Sequence, residues 1–391
     1  MNAPPSSTPA HSSGRSGKVV IVGEYVRAEE NSTGYFWERA IDFLRSRGMA
    51  VEVVSYTRPM SVRVRSSVLL RALLKAEISL RLAWGVMKKA RRGDVVFSGT
   101  NPEILLPMLA LLCRLRGMRF CVLVHDVFPE NLAAAEVLKE GSLPMRLLGA
   151  IYRRVYASFD KAIVIGRDMK VLVDKKAGRE IGHMVHNWVD SEDVEAQDRL
   201  ASGLIEELGW QDRVVFQFFG NMGRVQGIDV LLEAIDVVTA DNAAFLFAGS
   251  GVMRPEVEAA CEGRKDRHVL PLDHGYSRSE VLTSCDVALV CLDARMLGLG
   301  VPSKAYFSLA ADRPILAIMD ARGEIAQLVV EEAVGWHVPA GDPTALASAI
   351  DRLCSENRLV VPQRCLTLSR TKLSAQSALE QVHSELAVLL S

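Results

Sequence analysis

The chain has 391 residues, of which 49% are hydrophobic and 24% charged, and its formal net charge is −1. This length exceeds that of one ordinary domain, so we expect two. The balanced charge provides no general attraction to nucleic acid, and no apolar stretch reaches the roughly 18 residues of a membrane span. The seven cysteines lack the spacing of metal ligands and mostly lie in apolar runs, which indicates a cytoplasmic protein without a cysteine metal site.

The first 17 residues are rich in proline, serine and glycine and contain no apolar core of a signal peptide. They predict a disordered tail. Over residues 18–190, apolar β-rich segments alternate with helical patterns, which predicts a parallel sheet wrapped by helices. The predicted strands are KVVIVGEY, AVEVVSY, DVVFSGT, RFCVLVHD, KAIVIG and HMVHNW.

A basic amphipathic segment lies within this first half, at residues 61–92. It contains nine lysines or arginines and one acid, Glu77, with apolar residues at helical spacing. Two interpretations stay open. The segment lies on an anionic membrane surface, or it is an ordinary surface helix whose apolar stripe packs on the sheet.

A polar, acidic stretch at residues 191–210 predicts a linker, and a second domain follows at residues 211–370. Its predicted strands are RVVFQFFG, AAFLFAGSG, HVLPL, VALVCL, PILAIM and GWHVP. Residues 371–391 predict a terminal helix that returns to the first domain. The predicted fold is therefore α/β, with two Rossmann-like, doubly wound domains. Ligands in such sheets bind beyond the carboxyl ends of the strands, so the cleft between the domains is the predicted site.

The stretch FFGNMGRVQGIDVLLEAI predicts a strand, a glycine turn and a helix. Gly220 and Gly223 let the chain turn and leave backbone amides free. Helical spacing starts at Ile228, so the predicted helix begins just past Arg224. A helix N-terminus beside a cation is typical of an anion site. The alternative is an ordinary connection with a solvated arginine.

Two more turns are predicted at the cleft. FAGSGVMRPE puts Gly249 and Gly251 at another strand end of the second half. In the first half, GEYVRAEENSTGYFWERA ends a loop at Gly34, where the alternative is a simple helix cap by the preceding serine or threonine.

The segment GLGVPSKAYFSLAADRPILA is the most distinctive. Pro302 suits a first helical turn, so the amides of Ser303 and Lys304, and the lysine cation, are predicted to face the cleft. A lysine at a helix start opposes the helix dipole, and such a local conflict is typical of a functional position. Arg224 and Lys304 would neutralise a diphosphate from two sides without a metal.

These segments resemble the nucleotide-sugar domain of glycosyltransferase family 4, which are retaining enzymes of the GT-B fold. The resemblance is carried in order by GNMGRVQGIDVLLEAI, FAGSG, SEVLTSCDVALVCL, GVPSKAYFSLAADRPILA and GWHVPAGDPTALASAI. VHDVFPE and HNWVD in the first half are similar to the branch that builds bacterial surface polysaccharides, of the L-fucosamine transferase and colanic acid transferase type. The resemblance covers nearly the whole chain from Lys18.

Position by position, the resemblance implies that Arg224 contacts the donor diphosphate and that Lys304 adds a second positive charge. His125 of VHD corresponds to a histidine near the transferred sugar, where it would position the sugar; a histidine capped in the core is the alternative. Gly34 corresponds to a glycine that approaches the diphosphate. The remaining predicted donor contacts are Gly223, Gly249, Gly251 and Ser303.

The sequence also departs from the family pattern. Two glutamates spaced by seven residues, which contact the ribose in the family, fall at Leu299 and Phe307 here. This puts the usual ribose contact in doubt. Asp126 and Glu130 are predicted on the acceptor side, or they simply start the next helix.

The resemblance implies a metal-independent enzyme that moves a sugar from a nucleotide donor, with UDP favoured over GDP, in polysaccharide synthesis. The implied acceptor is a glycan or an undecaprenyl-diphosphate-linked sugar, with the first domain on the acceptor side. The protein would work in the cytoplasm, with peripheral membrane contact left open. Two alternatives remain: a nucleotide-sugar epimerase on the same fold, and a non-catalytic nucleotide-sugar-binding protein.

Overall fold

The computed structural model of the chain describes residues 17–27, 32–58, 68–189, 194–201, 203–355 and 364–391. These residues form two α/β domains, each with a six-stranded parallel sheet. The predicted architecture of two Rossmann-like domains is confirmed. The predicted tail lies outside the described residues except for Gly17, as do residues 61–67 of the basic segment.

The first sheet has the strand order β2-β1-β3-β4-β5-β6. Its strands are β1 Val19–Gly23, β2 Val51–Ser55, β3 Val95–Gly99, β4 Arg119–Val124, β5 Lys161–Val164 and β6 Gly182–Met184. Its helices are α1 Ser32–Ser46, α2 Val68–Lys89, α3 Leu105–Arg116, α4 Glu130–Ala134, α5 Leu143–Ala157 and α6 Arg167–Ala177. β1 and β3 are buried along their whole length, as expected for parallel strands covered on both faces.

The second sheet has the order β12-β11-β10-β7-β8-β9. Its strands are β7 Val214–Phe219, β8 Ala243–Ala248, β9 Arg267–Val269, β10 Val287–Cys291, β11 Ile315–Ile318 and β12 Gly335–Val338. Its helices are α7 Gly203–Glu207, α8 Ile228–Val237, α9 Arg254–Cys261, α10 Arg278–Thr283, α11 Lys304–Ala310, α12 Glu324–Glu331 and α13 Pro343–Ser355, followed by α14 Arg364–Arg370 and α15 Ala375–Leu390.

The C-terminal helix α15 packs on the first domain. Leu379, Val382 and Leu386 repeat at helical spacing and are buried in the core of that domain. Glu385 on the same helix forms an ion pair with Lys161 at 2.7 Å. The C-terminal helix therefore belongs structurally to the first domain.

Part of the segment predicted as a linker belongs to the second domain. Leu204 and Ile205 of α7 are buried with Trp210 in an apolar cluster on the second sheet. Burial of these three large apolar side chains stabilises the folded chain, whereas a linker across the cleft would expose them to water. The connection between the domains is therefore shorter than residues 191–210.

Each sheet has one point at which the strand order reverses, between β1 and β3 and between β7 and β10. Loops diverge there to opposite faces of the sheet and leave a crevice at the carboxyl ends of the strands. The turn after β7 and the segment after β10 flank the crevice of the second domain. This topology predicts that a ligand of the second domain binds between these two segments.

Candidate functional site

A cavity of about 630 Å³ lies between the domains. This volume is within the usual range for small-molecule sites. The side chains that line it from the first domain include Tyr35, Phe36, His125, Asp126, Asn187 and Trp188. Those from the second domain include Val225, Gln226, Arg278, Leu292, Ser303 and Phe307.

The segment after β10 reaches across and bonds to the first domain. The N–H of Val127 donates to the carbonyl of Leu299 at 3.1 Å, and the N–H of Gly298 donates to Oδ2 of Asp168 at 2.8 Å. Leu299 is buried in the core of the first domain. Leu299 is therefore an apolar anchor between the domains.

A buried carboxylate joins the domains beside the cavity. Glu324, at the start of α12, has a fully buried side chain and pairs with Arg167 of α6 at 2.9 Å. Nδ1 of His186 lies 3.6 Å from the other carboxylate oxygen. Burial lowers the pKa of His186 to about 4, so the imidazole is neutral at pH 7 and the charge of Glu324 is balanced by Arg167. These groups hold the two domains in the observed orientation.

The turns after β7 and β8 pack backbone against backbone. Gly249 and Gly251 have φ angles of 143° and 152°, and a Cβ at either position would collide with the carbonyl of Gly220 or Met222. The N–H groups of Gly220 and Met222 already donate to carbonyls of the turn after β8. The structure thus gives Gly249 and Gly251 a packing role, and their contact with a donor stays a prediction.

Arg224 lies in a short 3-10 turn that ends at Gln226. The following helix begins at Ile228, where the helical spacing starts, and Gly227 adopts a left-handed conformation with φ 61° between the turn and the helix. The Arg224 side chain is exposed and makes no ion pair or hydrogen bond within the described part of the chain. Its neighbours Val225 and Gln226 line the cavity, so the guanidinium is free to approach an anion there.

Lys304 differs from the expectation, because its cation does not line the cavity. The ammonium is buried 3.7 Å from the centroid of the Phe218 ring, near Cys291 at the end of β10. Side chains at a helix start point back toward its N-terminus, which here directs Lys304 at the ends of β7 and β10. Burial lowers its pKa to about 8. No described residue accepts a hydrogen bond from this ammonium.

His125 follows β4 and lines the cavity. Its ring stands edge-on to Phe36 with centroids 5.8 Å apart. Burial lowers the pKa of His125 to about 4, so the imidazole is neutral at pH 7. A neutral imidazole has one donor and one acceptor nitrogen and can hydrogen-bond a sugar hydroxyl without carrying charge.

The two carboxylates predicted on the acceptor side have different surroundings. Asp126 faces the cavity and is accessible from it, while partial desolvation by the cavity walls, with the nearby Glu103, raises its pKa. Glu130 is not among the residues that line the cavity, and its carboxylate pairs with Lys176 at 2.5 Å. Of the two, only Asp126 faces the cavity, and its contact with an acceptor stays a prediction.

Of the remaining predicted positions, one lines the cavity and two do not. Ser303 is exposed, precedes α11 and lines the cavity. Gly34 lies inside the first turn of α1, where a Cβ would collide with the carbonyl of Arg27. Gly223 has an ordinary φ of −92°, so its backbone conformation does not require glycine.

Several cavity residues escaped prediction from the sequence. Arg278 and Phe307 pair on the second-domain wall, with the guanidinium carbon 5.4 Å from the ring centroid. Trp188 packs against Phe36 on the opposite wall, with centroids 4.6 Å apart. A signal for Arg278 was present, because SRSE is a capping box that starts α10 at this residue. Trp188 lies in the HNWVD motif, which carries part of the resemblance but does not indicate a cavity position.

The described residues contain no group of three or more His, Cys, Asp and Glu side chains arranged to hold a metal ion. None of their helices combines the length and apolar character needed to cross a membrane.

Residues 213–356 match the family model described as "Glycosyl transferases group 1". The chain is 39% identical over 393 residues to the Pseudomonas aeruginosa protein "Probable glycosyltransferase WbjE", with 94% of each chain covered. Among solved structures it resembles Anabaena HepE in complex with UDP, with a TM-score of 0.69, 12% identity, and 95% and 100% of the two chains covered. It also resembles an Escherichia coli trehalose-6-phosphate protein bound with UDP-2-fluoro glucose, with a TM-score of 0.68, 12% identity, and 95% and 99% coverage.

Proposed function

Since the chain belongs to the group 1 glycosyltransferases, enzymes of the GT-B fold, we propose that it moves a sugar from a UDP-sugar to a glycan acceptor in surface-polysaccharide synthesis. O-antigen, capsule and exopolysaccharide are the candidate products. Two proteins of similar fold bind UDP or a UDP-sugar, which favours UDP over GDP.

The observation that carries this proposal is the set of unpaired polar groups at the β7–β10 crevice. The ammonium of Lys304 and Oε1 of Gln226 are buried without a hydrogen-bond partner among the described residues. Buried polar atoms are nearly always paired, so unpaired ones beside a cavity suggest a missing ligand. Arg224 adds an exposed cation on the same loop. The combination suits a diphosphate.

The proposed reaction separates charge. The bond from the anomeric carbon to the leaving phosphate breaks, while the acceptor oxygen bonds to the same face of the sugar. The acceptor proton passes to the leaving phosphate. Arg224 would contact the developing negative charge, and Lys304 would act through its field in a region of low dielectric. His125 would hold the sugar, and Asp126 would contact the acceptor.

In this proposal the acceptor is lipid-linked and the enzyme works at the inner face of the plasma membrane. The helices α2, α3 and α5 form one layer, since α3 packs against both neighbours. Their exposed sides carry the large apolar residues Leu73, Leu80, Trp84, Met87, Leu111, Leu115, Leu143, Leu147 and Ile151. The helices contain five, two and three basic residues and a single acid, Glu77. Apolar anchors among basic residues fit an anionic membrane surface.

Vesicle flotation tests the membrane part of the proposal. The protein should float with vesicles containing phosphatidylglycerol, less well with pure phosphatidylcholine, and less well at high salt. The double variant Leu111→Glu/Leu115→Glu should lose flotation. The matched control is Leu272→Glu, which changes an exposed leucine of the second domain.

The membrane proposal fails if the wild type stays with the soluble fraction on anionic vesicles. It also fails if the apolar face instead mediates self-association, which sedimentation would show as a dimer that Leu111→Glu/Leu115→Glu converts to a monomer.

Thermal unfolding with UDP, GDP and NAD, with and without magnesium, tests the donor site. A ligand at 100 times its dissociation constant adds about 2.7 kcal/mol to stability. We expect UDP to stabilise the wild type without metal and Arg224→Ala to lose most of the shift. Arg352→Ala, at another exposed arginine of the second domain, should keep it. A folded protein that no nucleotide stabilises would contradict the proposal.

The alternatives from the sequence have separate signatures. An epimerase would alter the sugar of a UDP-sugar without an acceptor. A non-catalytic binder would bind UDP-sugar and transfer to no acceptor. A radiolabelled sugar appearing in a lipid-extractable product would exclude both.

A further inference from the structure

The second-domain wall of the cavity carries a cation stacked on an aromatic ring. Arg278 is the first residue of α10, and Ser277 before it forms a capping box with Glu280. This cap defines where the helix begins and therefore where Arg278 emerges. Its guanidinium lies over the ring of Phe307 from α11, 5.4 Å from the centroid. Both side chains line the cavity.

Arg278 makes no ion pair among the described residues, unlike Arg267 and Arg199 of the same domain. Arg267 pairs with Asp236 at 2.6 Å, and Arg199 pairs with Asp286 at 3.1 Å. Over the described ranges of the chain, no carboxylate lies within ion-pair distance of Arg278, whose side chain is exposed. Its guanidinium is therefore available to a ligand in the cavity.

The second-domain wall of the cavity has no described carboxylate that could hydrogen-bond the ribose hydroxyls. Among the described residues that line the cavity, Asp126 is the only carboxylate, and it belongs to the first domain. Nucleotide sites on doubly wound sheets usually bind the ribose hydroxyls with an Asp or Glu. Here an aromatic ring and a guanidinium stand beside the β7–β10 crevice instead. Their chemistry suits a planar ring, because bases stack on guanidinium planes and on aromatic side chains.

We propose that Arg278, supported by Phe307, contacts the nucleoside of the donor through the face of its guanidinium, and that the ribose hydroxyls contribute little to affinity. This inference rests on the proposed function, since it assigns the nucleoside end of the same donor site. It makes Arg278 an affinity-determining contact to the base, distinct from the diphosphate contacts. Phe307 keeps the guanidinium in position.

Calorimetric titration with UDP, 2′-deoxy-UDP and inorganic pyrophosphate tests the inference. Removing one stacking contact to a base corresponds to a loss of about 10-fold in affinity, so Arg278→Ala should weaken UDP by about this factor. Arg278→Lys should rescue little, because an ammonium has no plane to stack. Pyrophosphate binding should not change in either variant. The wild type should bind 2′-deoxy-UDP with an affinity within about 3-fold of that for UDP. No carboxylate on this wall would be left without a hydrogen-bond partner when the 2′-hydroxyl is removed.

Three results would overturn the inference. Arg278→Ala could bind UDP as the wild type does. It could weaken pyrophosphate as much as UDP, which would make Arg278 a diphosphate contact. The wild type could bind 2′-deoxy-UDP more than about 30-fold worse than UDP, which would show that the hydroxyl is read strongly. Arg352→Ala is the control for the loss of an exposed arginine.

The experiments distinguish failure of the inference about Arg278 from failure of the proposed function. If the folded wild type does not bind UDP, the proposed function and this inference both fail. If UDP binds and Arg224→Ala weakens it while Arg278→Ala does not, only the inference about Arg278 fails.

Discussion

The ammonium of Lys304 lies over the ring of Phe218, and no described residue accepts a hydrogen bond from it. Burial lowers its pKa from 10.5 to about 8. Between these two values the unfolded chain binds a proton that the folded chain does not, so this group makes stability rise with pH in that window. Below pH 8 the buried charge costs about 3 kcal/mol. A stability cost of this kind is typical of a residue kept for binding.

Lys304→Met should therefore stabilise the free protein and weaken its ligand. Replacing the unpaired charge by an apolar chain of similar length should raise the free energy of unfolding at pH 7 by about 1–3 kcal/mol. UDP affinity should fall by about 10-fold as the positive potential is lost. Denaturant unfolding and calorimetry measure the two effects. The control is Lys139→Met at an exposed site of the first domain, and a less stable Lys304→Met would contradict the assignment.

The lowered pKa of Lys304 also predicts a pH dependence. As pH rises through about 8, the free protein loses this charge, so wild-type UDP affinity should fall between pH 7 and pH 9. Lys304→Met should show a flatter profile over the same range. Parallel profiles for the two proteins would mean that Lys304 does not act on the diphosphate.

His125 is the second residue whose protonation state bears on its role. Its pKa of about 4 leaves the imidazole neutral from pH 5 to pH 8, so we expect no inflection from His125 in kcat over that range. His125→Ala should lower kcat by about 10-fold, the size of one lost hydrogen bond. A loss of 10²- to 10⁴-fold would instead indicate a general base. His383→Ala on α15 is the control.

At the scale of elements, the second-domain site depends on two turns packed without side chains between them. The turn after β8 reaches the turn after β7 only because Gly249 and Gly251 lack a Cβ. This contact positions the loop that carries Arg224 and Gln226. The glycines therefore determine the position of the neighbouring loop.

Gly249→Ala should destabilise the protein more than an alanine at a roomy glycine. The new methyl combines a disfavoured φ with overpacking against backbone, which together cost about 3 kcal/mol. Gly263→Ala is the matched control, because Gly263 also has a positive φ but open space around its Cα, and should cost about 1 kcal/mol. Denaturant unfolding measures both. Equal costs would show that the turn after β7 moves aside freely.

At the scale of the whole molecule, the two domains are joined by contacts that no single domain contains. Glu324 is fully buried and pairs with Arg167, while Glu331 binds the same guanidinium from an exposed position. The loop at Gly298 and Leu299 adds backbone hydrogen bonds. Residues of both domains line the cavity, so contacts that fix the relative orientation of the domains also preserve its shape.

Glu324→Ala should lower both stability and transfer rate although Glu324 does not line the cavity. Removing one partner of a buried pair costs about 3–5 kcal/mol. Glu331→Ala removes the exposed partner of Arg167 and should cost no more than about 1 kcal/mol. Thermal unfolding and kcat/KM check the pair of variants. Equal effects would mean that Glu324 does not join the domains in solution.

The loop that carries Arg224 follows partly from local sequence signals and partly from a backbone conformation that the sequence does not specify. The turn and helix of residues 218–235 were predictable, because glycines and helical spacing are local signals. The separation of the turn that carries Arg224 from the helix at Ile228 depends on a left-handed Gly227, a conformation that a glycine in a sequence permits but does not require.

By itself the sequence determined the two α/β domains, the strands and the family, because uninterrupted apolar runs and turn residues are local patterns that parallel sheets require. Only the tertiary structure decided that Lys304 points into the sheet, that Arg278 meets Phe307, and that Leu299 anchors the other domain. Each of these depends on the direction of a side chain or on contact between distant segments. No local pattern encodes such a meeting, since it follows from how the two sheets and their loops pack together.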